Sequence, residues 1–319
     1  MTTAVLAGGV GAAKFLAGLV LAVEPASVTA IVNVADDTIL HGLHISPDLD
    51  TVTYTLAGAV NPETGWGLAG ESWQAMEQLA RLGGDPWFRL GDRDLGTHLY
   101  RTGRLVDGAT LSEVTAEIAT GMGLACRLLP ATDDSLRTMV TLASGEEVDF
   151  QTYFVARQHA DEVASIRFDG WPAAGAAPGV LDAIRTAEVV VIAPSNPVVS
   201  IGPLLAVDGI EGAVVEARDR VVAISPIVAG AALKGPADRL LQQLGHEPTV
   251  VGVARLYAPL CSTLVIDEAD ADLAGAVETE GVRCVVTDTI MRSPEVSAAL
   301  ARTVLAAGAA GAGDRAPEA

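Results

Sequence analysis

Four aspartates and two histidines share one short stretch. It runs from Asn33-Val34-Ala35-Asp36-Asp37, through His41 and His44, to Ser46-Pro47-Asp48-Leu49-Asp50-Thr51. Ionised carboxylates are costly to bury unpaired and repel one another, so such a cluster has no use in building a core. A hard divalent cation such as Mg²⁺ would account for it, because Mg²⁺ takes oxygen ligands and keeps water sites open for phosphates. Asp37, Asp48 and Asp50 are the candidate metal ligands and the candidate catalytic carboxylates. The competing use is a solvated acidic loop in which Asp48 or Asp50 caps the following helix. His41 and His44 could act as bases or phosphate contacts; histidines in loops of this kind more often serve structure.

Two further loops carry binding chemistry. Leu6-Ala7-Gly8-Gly9-Val10-Gly11-Ala12-Ala13-Lys14 joins an apolar run to a helical pattern. Glycines let the backbone approach a phosphate, and a helix N-terminus offers free N–H groups. Lys14 would add a cation one turn in. The dinucleotide and P-loop spacings both fail, since the third glycine is missing and Ala13 precedes Lys14. The signal is therefore a phosphate or nucleotide loop of unspecified type, with a plain strand-helix turn as its alternative. In Ala193-Pro194-Ser195-Asn196-Pro197-Val198-Val199-Ser200, hydroxyl and amide groups follow the strongest apolar run. Open α/β sheets bind ligands at such a place. Gly8, Gly9, Gly11, Lys14, Ser195, Asn196, Pro197 and Ser200 are the candidate nucleotide-binding residues, with Ser200 as a helix N-cap in the alternative.

The elements that must position these loops read as an α/β protein with a Rossmann-like parallel sheet. Thr3 to Ala7, a helix from Ala12 to Val23, and Val28 to Val32 make a strand-helix-strand unit, whose crossover is right-handed. Ala187 to Ala193, Arg220 to Ile224, Ser262 to Ile266 and Val282 to Val286 are near-continuous apolar runs, as in strands covered on both faces. A helix is expected from Thr51 to Ala59 and a last one from Pro294 to Ala306. Between the two halves, Thr110-Leu111-Ser112-Glu113 is a capping box. Thr138 to Leu142 and Val148 to Val155 read as a hairpin around Ser144-Gly145. The expected organisation is a discontinuous α/β core over 1–104 and 185–306, an inserted α+β region over 105–184, and a disordered tail over 307–319.

Composition narrows the partners. The 319 residues carry 40 acidic and 20 Lys or Arg side chains, a net charge of −20. That excludes the basic stripe a nucleic-acid partner needs and disfavours an anionic membrane surface. Half of the chain is hydrophobic but only 4% is aromatic, so the core must be aliphatic. Cys126, Cys261 and Cys284 show neither paired nor metal-ligand spacing, which fits a reducing cytoplasm. No basic region precedes the first apolar run, and glycines interrupt it, so neither a signal peptide nor a spanning helix is expected.

The three segments LAGGVGAAKF, NVADDTILHGLHISPDLDT and APSNPVVSIGPLLAV together resemble the 2-phospho-L-lactate transferase family of coenzyme F420 biosynthesis, whose actinobacterial members use an enolpyruvyl substrate. Trp66-Gly67, Leu90-Gly91-Asp92-Arg93-Asp94-Leu95 and Leu129-Pro130-Ala131-Thr132-Asp133-Asp134 resemble further motifs of the family. The resemblance implies a donor that is a guanosine diphosphate ester of lactate or enolpyruvate. The implied acceptor is Fo, a deazaflavin with a ribityl chain, whose terminal hydroxyl displaces GMP. It also implies Mg²⁺, a homodimer, and Fo contacts at Asp50 and Arg89. Two residues depart from the family pattern: Lys14 stands where arginine is usual, replacing a fork by a point charge, and Ala35 stands where glycine is common. For Trp66, Trp73 and Trp87 helix packing is the expected role, with stacking on the deazaflavin as the alternative. Asp92, Arg93 and Asp94 either orient Arg89 or form a surface ion-pair network. A competing reading is the related gluconeogenesis-factor family, a non-catalytic nucleotide-ligand-binding module. A Rossmann oxidoreductase is disfavoured by the missing glycine and by acidic crowding of an NAD phosphate.

Overall fold

The computed structural model describes residues 1–313. β1 (Thr3–Ala7) and β2 (Val28–Val32) are linked by α1 (Gly9–Ala22). A hairpin of β3 (Thr38–Leu40) and β4 (Leu43–Ile45) follows. His41 and Gly42, at φ 54° and 79°, form its turn, the left-handed pair that a tight hairpin needs. Helices α2 (Pro47–Leu56), α3 (Gln74–Arg81), α4 (Asp94–Val106) and α5 (Leu111–Gly121) come next. The capping box expected at Thr110 and Glu113 is present at the start of α5.

The chain then returns to the main sheet with β5 (Arg127–Pro130). It leaves again for a small antiparallel sheet of β6 (Arg137–Leu142), β7 (Glu147–Asp149) and β8 (Val163–Asp169). The second half supplies β9 (Val189–Ile192) and β10 (Val221–Ile224). The short pair β11 (Ile227–Val228) and β12 (Ala231–Ala232) follows, then β13 (Thr263–Asp267) and β14 (Arg283–Thr287). A C-terminal helix spans Pro294–Gly313.

Seven strands form one parallel sheet in the order β14-β13-β10-β9-β1-β2-β5. This is the Rossmann-like α/β architecture expected from the apolar runs. From β1 the chain winds outward through β2 and β5; from β9 it winds the other way through β10, β13 and β14. The direction reverses between β1 and β9, and the loops leaving their carboxyl ends diverge there, which opens the crevice where such sheets hold ligands. Successive strand residues face opposite sides. Leu6, Ile31 and Ile192 pack into one core layer, while Val5, Val32 and Val191 join Phe15, Leu16 and Leu49 in the other.

Three expectations are corrected. The last helix continues past Ala306, so residues 307–313 are helical, not a disordered tail; residues 314–319 lie outside the described residues. The small residues there are what seat the helix. A Cβ on Gly308 would lie 2.7 Å from Val189 Cγ1, and one on Gly311 would lie 2.4 Å from the Asp219 carbonyl. Second, the region over 105–184 is not wholly an insert, because β5 pairs in parallel with β2; the separate antiparallel sheet lies within 137–169. Third, the hairpin arm expected to reach Val155 ends at Asp149, whose carboxylate accepts from Thr152 N at 2.9 Å and turns the chain into a helical turn, Thr152–Ala156. Among the described residues, no helix is long and apolar enough to cross a membrane.

α1 and the C-terminal helix meet at Gly18, where a Cβ would stand 2.3 Å from the Ser297 carbonyl carbon. Alanine ordinarily gains up to about 1 kcal/mol over glycine inside a helix. Here the obstacle is backbone, and overpacking of this kind costs roughly 1–3 kcal/mol. Gly18→Ala is therefore expected to lower the urea midpoint, against the helix-propensity trend; an unchanged or raised midpoint would contradict this packing.

Candidate active site

The glycine loop and the Ser195 loop meet at the reversal point of the sheet. The Ser195 hydroxyl donates to the Gly8 carbonyl at 2.8 Å and accepts from Gly8 N at 3.3 Å, clasping the exits of β1 and β9 together. A Cβ on Gly8 would lie 2.8 Å from Ser200 Cβ and 2.9 Å from Asp48 Oδ2, and one on Gly11 would lie 2.4 Å from the Pro194 carbonyl. Gly9 differs. Its φ of +73° requires glycine, yet a Cβ there would meet nothing within 4 Å among the described residues. The backbone at Gly9 thus faces open space at the start of α1, where N–H groups and the helix dipole favour an anion. Asn196 Oδ1 accepts from Val198 N at 2.9 Å, so Asn196, not Ser200, caps the turn that begins at Pro197.

The acidic segment lies against this loop. α2 begins at Pro47, earlier than the pattern implies, so Asp48 and Asp50 occupy its first turn, where the helix dipole favours carboxylates. Asn33 Nδ2 donates to Asp48 Oδ2 at 3.0 Å. Burial pushes the Asp48 carboxyl up to about 6, against the Asn33 amide and the Gly9 N–H, which pull it down. Burial also raises Asp36 well above the usual carboxylate range, and the charges of Asp48 and Asp37 raise it further. Asp37 is raised by burial too, while Ser46 Oγ donates to its Oδ2 at 2.6 Å. The Oδ1 atoms of Asp36 and Asp37 are buried without any hydrogen-bond partner. Asp36, Asp37 and Asp48 repel one another, and the orphaned Asp36 oxygen is a donor a hard cation would take, but among the described residues the trio whose ligand atoms all lie within 4.8 Å of one another is Asp50, Asp94 and His98.

Asp50 is already paired. Both its oxygens are held by the fork of Arg101, Nη1 at 3.1 Å and Nη2 closer still. Arg101 and Asp50 are 2% and 5% exposed. Asp94, His98 and Arg101 lie on one face of α4. His98 Nδ1 is 3.7 Å from Asp50 Oδ2 and its Nε2 is 3.3 Å from Asp94 Oδ2; the Tyr54 hydroxyl donates to Asp94 Oδ1. Asp50, Asp94 and His98 could converge on an ion, but the Arg101 cation already neutralises this pocket.

Two cavities open beside the acidic segment. The larger, about 390 Å³, is lined by Asp37, His44, Thr110, Asp133, Ser135 and Arg137 among others; the smaller, about 150 Å³, lies between Asp36, Asp37, Arg137 and Gln151. Burial, then the Arg101 and Arg137 cations, lower His44 to about 4, so its imidazole is neutral at pH 7.

The chain is similar to known proteins over nearly its whole length. The family model for 2-phospho-L-lactate transferase CofD matches residues 3–304. The chain belongs to the 2-phospho-L-lactate transferase family. A phosphoenolpyruvate transferase of Kitasatospora aureofaciens is 44% identical over 312 residues, 96% of this chain and 97% of that relative. One of Mycolicibacterium smegmatis is 40% identical over 320 residues, 96% and 98% of the two chains. Among solved structures, a UPF0052 family member from Bacillus halodurans superposes with a TM-score of 0.61 at 18% identity, over 95% of this chain and 99% of that one, which shows the fold alone.

Within this family frame, several expected site residues find other places. Lys14 is exposed on α1, and among the described residues it has no hydrogen-bond or ion-pair partner. Lys234, which the sequence reading passed over, lies beside a neighbour of the glycine loop. Its Nζ donates to the Thr64 carbonyl at 2.9 Å and stands 3.3 Å from a Cβ position on Gly65, which also abuts Val10 of the glycine loop. Arg89 is exposed and stacks over Trp73, 4.4 Å from the ring centroid. Trp66 is exposed, while Trp73 and Trp87 are half-buried, Trp87 edge-on to Phe88. Asp92 caps α3 through Gln74 N and Ala75 N, and Arg93 donates to the Ala69 carbonyl; neither touches Arg89. His41 sits exposed in its turn, away from the cluster.

Removing one partner of a buried ion pair costs roughly 3–5 kcal/mol, because the other is left uncompensated. Arg101→Met should therefore lose stability on this scale in denaturant titration. Adding Asp50→Asn in the same chain should recover part of the loss; additive losses would show that the pair is not coupled.

Proposed function

We propose that this chain transfers a phospholactyl or phosphoenolpyruvyl group from a guanosine diphosphate ester to the terminal ribityl hydroxyl of Fo, releasing GMP. The observation that supports this most is the contact of three segments at Gly8, where the glycine loop, the Ser195–Ser200 loop and Asp48 leave no room for a side chain. That juxtaposition sets a phosphate-binding backbone directly beside a carboxylate cluster. The relatives named phosphoenolpyruvate transferase, at 40–44% identity, favour the enolpyruvyl donor.

The chain's own residues divide the work. The diphosphate is received by N–H groups at the start of α1, with Gly9 giving open access. Asp36 and Asp48 would hold Mg²⁺, which when bound supplies charge neutralisation at the transferring phosphate. Asp37 faces both cavities, and its raised carboxyl makes it the stronger base toward the ribityl proton, with Ser46 fixing its other oxygen. The oxygen of that hydroxyl bonds to the acid-side phosphorus as the bond to the GMP oxygen breaks. Arg89, exposed over Trp73, is a contact for Fo. Asp50, fixed by Arg101, reaches the acceptor only as part of that rigid pair.

The test is incubation with Fo, Mg²⁺ and each guanylylated donor, read by mass. A phosphodiester of Fo together with GMP is expected. Fo binding without product would instead indicate a binding module of the related gluconeogenesis-factor type. Metal binding needs ionised carboxylates, and Asp48 takes up its proton as pH falls through about 6. The rise in Tm given by Mg²⁺ should therefore be present at pH 7.5, shrink steeply below pH ~6, and vanish in Asp48→Asn. A Mg²⁺ effect indifferent to pH and to Asp48 would place the ion elsewhere.

A further inference from the structure

We infer that Arg137 receives the carboxylate of the three-carbon acid and so sets which donors the site accepts. The inference rests on the proposed transferase reading and adds the part of the donor that no residue named so far would recognise.

Arg137 is the only lysine or arginine lining either cavity beside the acidic segment, and it lines both. Among the described residues it has no hydrogen-bond or ion-pair partner, although this chain carries twice as many acids as bases. Its cross-strand neighbour Asp169 is paired instead with Arg167 at 2.9 Å. Other arginines on nearby elements are engaged: Arg101 by Asp50 and Arg104 by Glu117. A bare guanidinium at the mouth of two cavities is a fork suited to a carboxylate.

Its position is fixed relative to the metal-binding carboxylates. Thr138 N donates to the Ala35 carbonyl at 2.8 Å, docking the start of β6 onto the residue before Asp36. Asp37 shares both cavity walls with Arg137. In the donor, the carboxylate hangs only a few bonds from the phosphorus that is attacked. Asp36 lines the smaller cavity together with Arg137, so a phosphate held at Asp36 brings its carboxylate toward these walls. Asp133 and Asp134, which also line the larger cavity, are engaged by neighbouring donors. Asp133 accepts from Ser112 N and Oγ at 2.7 and 2.8 Å, and Asp134 accepts from Gly175 N at 2.9 Å. They leave Arg137 as the anion-facing group.

The experiment compares two donors with Fo and Mg²⁺: the guanosine diphosphate ester of lactate, and that of ethanol, which lacks only the carboxylate. A charge-assisted bidentate pair lost from a site corresponds to roughly 10- to 150-fold in kcat/KM, and the wild type is expected to prefer the lactyl donor by about that factor. Arg137→Gln should reduce this preference to within about threefold while leaving the KM for Fo and the Tm nearly unchanged, as for an exposed side chain away from core packing. Arg137→Lys should restore part of the preference, since the charge returns without the fork. Arg137→Gln that keeps the full preference, loses both donors equally, or raises the KM for Fo would overturn the assignment while leaving the transferase reading in place. A wild type that uses the enolpyruvyl ester but neither of these would overturn the assignment, since the carboxylate would then not set acceptance, and one that forms product from none of the three would overturn both.

Discussion

Buried negative charge organises this molecule. Asp36, Asp37, Asp48 and Asp50 crowd the space between the end of β2 and the start of α2, in a chain already at −20. Charge of this density stays in place only if dipoles, hydrogen bonds or cations surround it. The structure supplies each of these in part. α1 and α2 both begin here with their positive ends; Asn33, Ser46 and the Gly9 N–H contribute hydrogen bonds; Arg101 neutralises Asp50. Two carboxylate oxygens remain without partners, and they mark where the compensation is incomplete.

The division of the cluster into two halves follows from that. Toward α4, Arg101 and Tyr54 bond Asp50 and Asp94, with the His98 ring between the two carboxylates and its Nε2 left without a hydrogen bond. Toward the glycine loop, Asp36 and Asp48 have burial without a matching cation. One half is therefore rigid scaffold and the other is chemically open, though both read alike as aspartates in a loop.

The main sheet was legible in the sequence because a strand covered on both faces must be apolar throughout. Val189 to Ile192 and Val221 to Ile224 could hardly be anything else. The meeting of the two ligand loops followed from the same runs, since parallel strands place their exits at one edge. What stayed hidden depends on side-chain direction and tertiary pairing. Asp94, His98 and Arg101 carry a readable signal, a polar stripe at i, i+4 and i+7 spacing on α4, yet their partner Asp50 is 51 residues from Arg101. The Gly-rich end of the C-terminal helix looked unstructured by composition, whereas its small residues are what permit close contact with β9. Arg137 gave no local signal at all, because a cation's meaning lies in its lack of a partner.

The clasp between Gly8 and Ser195 joins residues 187 apart. Closing so long a loop is entropically late, and the β1–β9 pairing that brings these residues together cannot form until the second half of the chain exists. During synthesis the N-terminal half emerges first, with its acidic segment complete but its crevice missing one wall. The growing polypeptide therefore displays uncompensated carboxylates long before the crevice is closed, and its second wall arrives in a single event when β9 slots in beside β1. Truncation anywhere before that strand leaves an acidic half-sheet with an open edge rather than a weaker enzyme.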